Sequence, residues 1–203
     1  MNKTRHAVHV VDDDESVRAS IKFLVESVDL SGIEYGSADA FLRDYRDAGP
    51  GCVILDLRMP GMSGLEALDL MKQQSILEPI IIMTGHGDVP VTVRAFKQGV
   101  FDFLEKPCND NLLIETINRA ISADILERTN RKKIQSRRVA LNSLTQREQG
   151  VLDLLVAGLS NKQIAEQFYL SPKTIERHRS SIMRKLKATS FAQLVRIAAP
   201  RVD

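Results

Sequence analysis

Short apolar runs alternate with amphipathic stretches through the first half of the chain. Ala7–Val11, Gly32–Tyr35, Cys52–Leu57, Pro79–Thr84 and Phe101–Glu105 predict strands. Glu15–Val28, Ala38–Asp47, Gly64–Gln74 and Val89–Gln98 carry apolar residues at helical spacing, and Asn109 to about Arg128 follows as a fifth helix. Gly49-Pro50-Gly51, Pro60-Gly61 and Gly99 mark turns between them. Val53-Ile54-Leu55 and Ile80-Ile81-Ile82 are apolar without alternation. Strands buried on both faces read this way, as those of parallel sheets do. The pattern predicts an α/β fold: a doubly wound, five-stranded parallel sheet.

The second half has helical spacing only and predicts a smaller all-α domain. Thr145, with Glu148 three residues on, forms a capping box ahead of Val151, Leu152, Leu154 and Leu155. Gly158 ends that helix. Ser160 opens a second, carrying Ile164, Ala165 and Phe168. Ser171 as N-cap and Pro172 at the first helical position begin a third, which runs to about Leu186. On this third helix Ile175, Ile182 and Leu186 share one face, with His178 and Arg179 at its margins. Lys173, Arg177, Ser180 and Arg184 share the opposite face, and Glu176 lies at its edge. The joint between the halves, residues 123–140, includes Arg128, Arg131, Lys132, Lys133, Arg137 and Arg138 and has no Gly or Pro. It reads as a solvated basic helix, with a mobile linker as the alternative.

Charge sharpens this division. Residues 1–122 hold 12 basic and 19 acidic residues, a net of −7; residues 123–203 hold 16 and 7, a net of +9. Such asymmetry points the second half toward a polyanion. Cys52 and Cys108 have neither metal-site spacing nor a disulfide framework, so a reducing, cytoplasmic setting is expected. No apolar run predicts a signal peptide or a membrane span.

In doubly wound sheets ligands sit beyond the carboxyl ends of the strands. Asp12, Asp13 and Asp14 follow the first strand, Asp56 lies near the end of the third, Thr84 ends the fourth, and Lys106 follows the fifth. Clustered carboxylates call for a cation, and an all-oxygen set suits Mg2+. A carboxylate can itself attack phosphorus. Asp56 would be that nucleophile, Lys106 and the metal would neutralise the equatorial oxygens, and Thr84 would donate to the product. Singly, each piece is an ordinary turn or strand end; their placement at four strand ends is what carries the reading.

Val10-Val11-Asp12-Asp13-Asp14, Leu55–Gly64, Met83–Pro90 (with Gly85-His86-Gly87-Asp88-Val89-Pro90) and Glu105-Lys106-Pro107 resemble the receiver domain of two-component response regulators of the NarL/FixJ class. The resemblance covers residues 5–122 and implies a flavodoxin-like fold. It implies Asp56 as phospho-acceptor, Asp12 and Asp13 as the acid pair, and Asp13, Asp56 and the Arg58 backbone carbonyl as direct Mg2+ ligands. It further implies Thr84 as switch hydroxyl, Phe103 as switch aromatic, Lys106 as phosphate-binding lysine and a cis Lys106–Pro107 bond. Cys108 departs from the Phe common in that class, which bears on packing around the last loop and the dimer face. His86 reads as shaping the start of the Val89–Gln98 helix, not as a general base.

Leu144-Thr145-Gln146-Arg147-Glu148, Gly158–Ala165 and Leu170–Arg179 are similar to the LuxR-type DNA-binding domain, over residues 141–199. A helix-turn-helix presents its second helix to the major groove. Arg177 suits guanine and Glu176 suits cytosine N4. Lys162, Lys173, Thr174 and Arg179 suit phosphates, which position rather than specify. Asn161, Ser180 and Arg184 complete the expected DNA-contacting set.

The combined expectation is a transcription regulator and not an enzyme. A sensor histidine kinase phosphorylates Asp56, a homodimer forms, and double-stranded DNA half-sites are bound, with RNA polymerase as a further partner. Three alternatives remain: a phosphatase of the haloacid-dehalogenase type, a constitutive DNA binder, and an RNA binder. The first needs a second acid two residues after the nucleophile, where Arg58 stands. The intact acid, hydroxyl and lysine set opposes the second. The third lacks exposed aromatic platforms.

Overall fold

A computed structural model describes residues 6–85 and 95–198. The chain divides into two compact units, Met1–Arg128 and Thr129–Asp203.

The first unit contains strands β1 (Ala7–Val11), β2 (Ser31–Tyr35), β3 (Gly51–Asp56), β4 (Ile80–Gly85) and β5 (Asp102–Lys106). All pair in parallel, in the order β2-β1-β3-β4-β5. Helices α1 (Glu15–Ser27), α2 (Ala38–Asp44) and α3 (Gly64–Gln73) follow the first three strands, and α4 (Asp110–Asn142) follows β5. Because successive strand residues face opposite ways, the unbroken apolar runs supply two cores. Val53, Leu55 and Ile82 pack with Phe41 of α2 and Leu68 and Met71 of α3. Cys52, Ile54, Ile81 and Met83 pack with Ile21 and Val25 of α1 and Leu113, Ile117 and Ile121 of α4. His9 lies on the first of these faces among Tyr35, Phe41 and Tyr45. Its Nδ1 shares a hydrogen bond of 3.1 Å with the Tyr35 hydroxyl. Burial, partly countered by Asp47, lowers its pKa to about 4.

Two boundaries differ from the sequence reading for clear reasons. α2 ends at Asp44, not Asp47, because Tyr45 turns extended (φ −54°, ψ 134°). α4 does not stop near Arg128: its 33 residues run on to Asn142 and include residues 123–140, with no Gly or Pro to interrupt them. Its buried stripe, Leu113, Thr116, Ile117, Ala120, Ile121 and Asp124, belongs to the first unit. Of the expected Val89–Gln98 helix, residues 95–97 are helical and residues 89–94, like His86, lie outside the described residues.

In the second unit, α5 (Gln146–Val156), α6 (Asn161–Phe168), α7 (Pro172–Lys185) and α8 (Phe191–Ala198) enclose Val151, Leu155, Ile164, Ile175, Ile182 and Leu194. α8 has no counterpart in the sequence reading. Ser190 opens it, its Oγ accepting from Gln193 N at 3.1 Å. No helix among the described residues is long and apolar enough to cross a membrane.

Candidate functional site

β1 has β2 on one side and β3 on the other, so the chain's winding reverses beside it. The crevice at the carboxyl ends of β1 and β3 is therefore the place for a ligand. Asp12, directly after β1, and Asp56, the last residue of β3, are buried there, and Asp13 is exposed. Each local conformation has a cause. The Asp14 carboxylate caps α1, accepting from Ser16 N at 2.8 Å and Val17 N at 3.3 Å. Asp12 Oδ1 accepts from Asp14 N at 3.0 Å, and the Arg18 guanidinium donates to Asp12 O at 2.8 Å. Asp56 Oδ1 accepts from Arg58 N at 3.1 Å. Gly64, at the start of α3, donates to Leu57 O at 3.1 Å. A Cβ there would lie 2.5 Å from Asp56 O, so only glycine lets α3 approach the loop that carries the acid.

Lys106, the last residue of β5, reaches across this edge. Its Nζ donates to Asp12 Oδ2 at 2.5 Å and to Asp56 Oδ2 at 2.8 Å. Burial works against the ammonium, but these bonds outweigh it and raise its pKa above the ordinary lysine value. Lys106–Pro107 is cis, as the family resemblance implies. Thr84, on β4, is buried and pairs in register with Glu105. Phe103, half-buried on β5, pairs with Ile82 and packs against the core shared with α2 and α3.

Asp12, Asp13 and Asp56 each offer an oxygen within 4.8 Å of the others. Three carboxylates facing one ammonium leave a formal −2, and the donors are all oxygen. That set fits a hard divalent cation such as Mg2+, with Asp13 open to solvent for the waters such an ion retains. The arrangement thus gathers three carboxylates and a half-buried ammonium at one end of the sheet.

The second unit builds a different surface. Capping boxes at Thr145/Glu148 and Ser160/Gln163 start α5 and α6. Ser171 caps α7, with Pro172 in its first turn. Tyr169 makes the turn between α6 and α7 in the left-handed region (φ 52°). Ile175 and Ile182 bury one face of α7. On the other, Lys173, Glu176, Arg177, Ser180 and Arg184 are exposed. These five and Thr174 line a groove of about 770 Å³. Thr174 Oγ1 shares a hydrogen bond of 2.8 Å with Ser171 Oγ. Asn161 and Lys162 line a neighbouring hollow with Arg179, whose guanidinium lies 5.1 Å from the Phe191 ring centroid. The acid-poor basic face expected from the sequence is present.

The sequence reading placed Glu148 only as a capping residue. The carboxylate is also the bond between α5 and α7: Oε1 accepts from Ser181 Oγ at 2.8 Å and Oε2 from Lys185 Nζ at 2.6 Å. Its burial would raise its pKa, but Lys185, the Thr145 amide and the Ser181 hydroxyl hold it down at about 2.

Comparison with known proteins gives the family of each unit. Residues 8–118 match the model of the response regulator receiver domain, and residues 142–198 match that of the luxR family of bacterial regulatory proteins. The chain is 43% identical over 195 residues to the transcriptional regulatory protein FixJ of Bradyrhizobium diazoefficiens, covering 96% of this chain and 95% of that protein. It is also 43% identical to FixJ of Rhizobium meliloti, covering 96% of each. Among solved structures, the response regulator StyR is 39% identical, with a TM-score of 0.89 over 95% of this chain and 98% of that one.

Proposed function

Because this chain belongs to the response regulators that join a receiver domain to a LuxR-type DNA-binding domain, we propose that Asp56 is its phospho-acceptor and that phosphorylation controls its binding to DNA. The family is one of transcription regulators; the residue roles, the metal and the dimer are the proposal. What carries it is the meeting of Asp12, Asp56 and Lys106, from three strands, within 2.8 Å contacts at one sheet edge.

An Asp56 oxygen forms the new P–O bond as the P–N bond of a sensor histidine kinase's phosphohistidine breaks. The imidazole nitrogen leaves and takes up a proton. Asp13, Asp56 and the Arg58 carbonyl, with Asp12 beside them, would hold Mg2+. An ion held there would supply charge neutralisation for the transferring oxygens. Lys106 already stands at 2.8 Å from the acceptor, so its ammonium meets the new phosphoryl group with little rearrangement. Thr84, one strand away on β4, donates its hydroxyl to a phosphoryl oxygen, and Phe103 on β5 repacks with it. The repacked face of β4 and β5 pairs two chains. Two α7 helices then read two half-sites of duplex DNA, and joining two binding modules multiplies affinity without any new base contact. Arg177 and Glu176 read base edges. Asn161, Lys162, Lys173, Thr174 and Arg179 hold phosphates, and Ser180 and Arg184 extend the contact along the groove. RNA polymerase is the downstream partner.

The test is the intact mass after incubation with Mg2+ and acetyl phosphate, beside an Asp56→Asn control. One phosphoryl adduct on the wild type and none on the variant is expected. An adduct on both would move the acceptor elsewhere. None on either, with a histidine kinase also tried, would leave a constitutive DNA binder.

A further inference from the structure

The opposite edge of the sheet holds a second charged cluster, which phosphoryl chemistry does not use. Arg128 stands at its centre. Its Nε donates to Asp124 Oδ2 at 2.6 Å, Nη1 to both oxygens of Asp47 at 2.9 Å, and Nη2 to Glu78 Oε1 at 3.0 Å. The Tyr45 hydroxyl also donates to Glu78, and Gly51 N, at the start of β3, donates to Asp124 Oδ2 at 3.1 Å. The partners come from the end of α2, the loop before β3, the loop before β4 and α4 itself. Asp124 and Glu78 are buried, and Asp47 is open to solvent. Arg128 is a counter-charge to all three carboxylates and makes the burial of Glu78 and Asp124 tolerable. The negative surroundings reach further: burial together with Asp124 and Glu78 pushes the Cys52 thiol up to about 12.

The position of this cluster gives it a consequence. α4 starts at Asp110, four residues after Lys106, and Asn109 caps it, accepting from Asn111 N at 2.9 Å. Arg128 lies 18 residues further on, about 27 Å along the helix. β3 likewise has Asp56 at one end and Gly51, bonded to Asp124, at the other, about 17 Å apart. α4 is therefore fastened at both edges of the sheet: beside the acceptor pocket at its start, and by Arg128 at the last residue of the first unit. Past Asp124 its buried stripe ends, and apolar packing alone would let these turns fray.

We infer that Arg128, clamped by Asp47, Glu78 and Asp124, is a coupling residue: it keeps the end of α4 bound to the receiver so that a change at the Asp56 edge is delivered to the segment leading to the DNA-binding unit. This rests on the phosphorylation reading above, but the clamp itself does not touch the acceptor. Freed of it, the helix end absorbs the change by local opening, and phosphorylation continues without its output.

The test uses the full chain with Asp47→Ala, which removes the solvent-open partner and leaves the buried acids paired, and Glu78→Gln as a second variant. Three quantities are read: the phosphoryl adduct with Mg2+ and acetyl phosphate, amide exchange of peptides spanning residues 120–132, and affinity with and without acetyl phosphate for a duplex that the phosphorylated wild type selects from a random pool. The adduct should form as in the wild type. Exchange should be about tenfold faster, the factor that follows from losing a charge-assisted hydrogen bond. The gain in affinity on phosphorylation should fall by a similar factor. Unchanged exchange, or faster exchange with an undiminished gain, would overturn the inference. A wild type that takes no adduct would instead bring down the phosphorylation reading, and the coupling with it.

Discussion

Replacing Glu148 by Gln should destabilise the DNA-binding unit by about 3 kcal/mol at neutral pH. The carboxylate is buried and ties the first turn of α5 to the last turn of α7 through Thr145, Ser181 and Lys185. Its pKa falls from an ordinary 4.5 to about 2. At about 1.4 kcal/mol per unit, that difference is worth roughly 3 kcal/mol once the group is fully ionised in both states. A depressed carboxyl pKa contributes stability that is present above the unfolded value and is lost as pH falls toward the folded one. The contribution should therefore shrink to roughly 1.4 kcal/mol at pH 3. Gln keeps the shape but leaves Lys185 without its counter-charge, so the variant isolates the ionic part. Urea unfolding of both chains, followed by the methyl resonances of Ile164, Ile175 and Ile182, reports this unit alone. A difference below about 0.5 kcal/mol at pH 7, where surface substitutions fall, would refute the reasoning. So would a difference that stays constant between pH 7 and pH 3.

His9 makes the receiver acid-sensitive: with its folded pKa at about 4 against an ordinary 6.5, stability should fall as pH drops from 6.5 toward 4, and His9→Phe should flatten that slope in pH-dependent urea melts. Gly64→Ala places a Cβ 2.5 Å from Asp56 O and 2.7 Å from Leu57 Cα; it should destabilise the receiver by about 1–3 kcal/mol and slow adduct formation with acetyl phosphate, and normal rates would show that α3 can retreat. Arg177→Ala should relax base preference at one position, at about 1–3 kcal/mol, whereas Lys173→Ala should weaken all duplexes alike and reduce the salt slope by about one; binding titrations at several salt concentrations separate the two.

Much of this was legible in the sequence because the governing rules are local. Val53-Ile54-Leu55 could be read as a doubly covered strand from composition alone, and the strand-end rule then gathered Asp12, Asp56, Thr84 and Lys106. Ser171-Pro172 and Thr145/Glu148 are likewise short-range signals. What escaped is long-range. Arg128 meets Asp47 and Glu78 across 81 and 50 residues, and no periodicity links an arginine in a polar helix to acids in two loops. Lys185 and Glu148 are 37 residues apart, so the capping role was visible and the tie to α7 was not. The helical reading of residues 123–140 holds; helix formers without Gly or Pro favoured it, but the basic segment does not itself show that it continues the preceding helix without a break. α8 could have been found: Ser190 with Gln193 is a cap signal, and Phe191, Leu194 and Ile197 follow at helical spacing.

The dispersed origin of the acceptor pocket has a consequence for synthesis on the ribosome. β1 and β3 are adjacent in the sheet although Val11 and Leu55, paired in register, are 44 residues apart, and the ammonium arrives only with residue 106 at the sheet's far edge. Until that residue emerges, Asp12 and Asp56 lack the ammonium that bridges them in the folded chain. Completion of the five-stranded sheet and arrival of the ammonium that bridges the two acids therefore fall at the same point of synthesis.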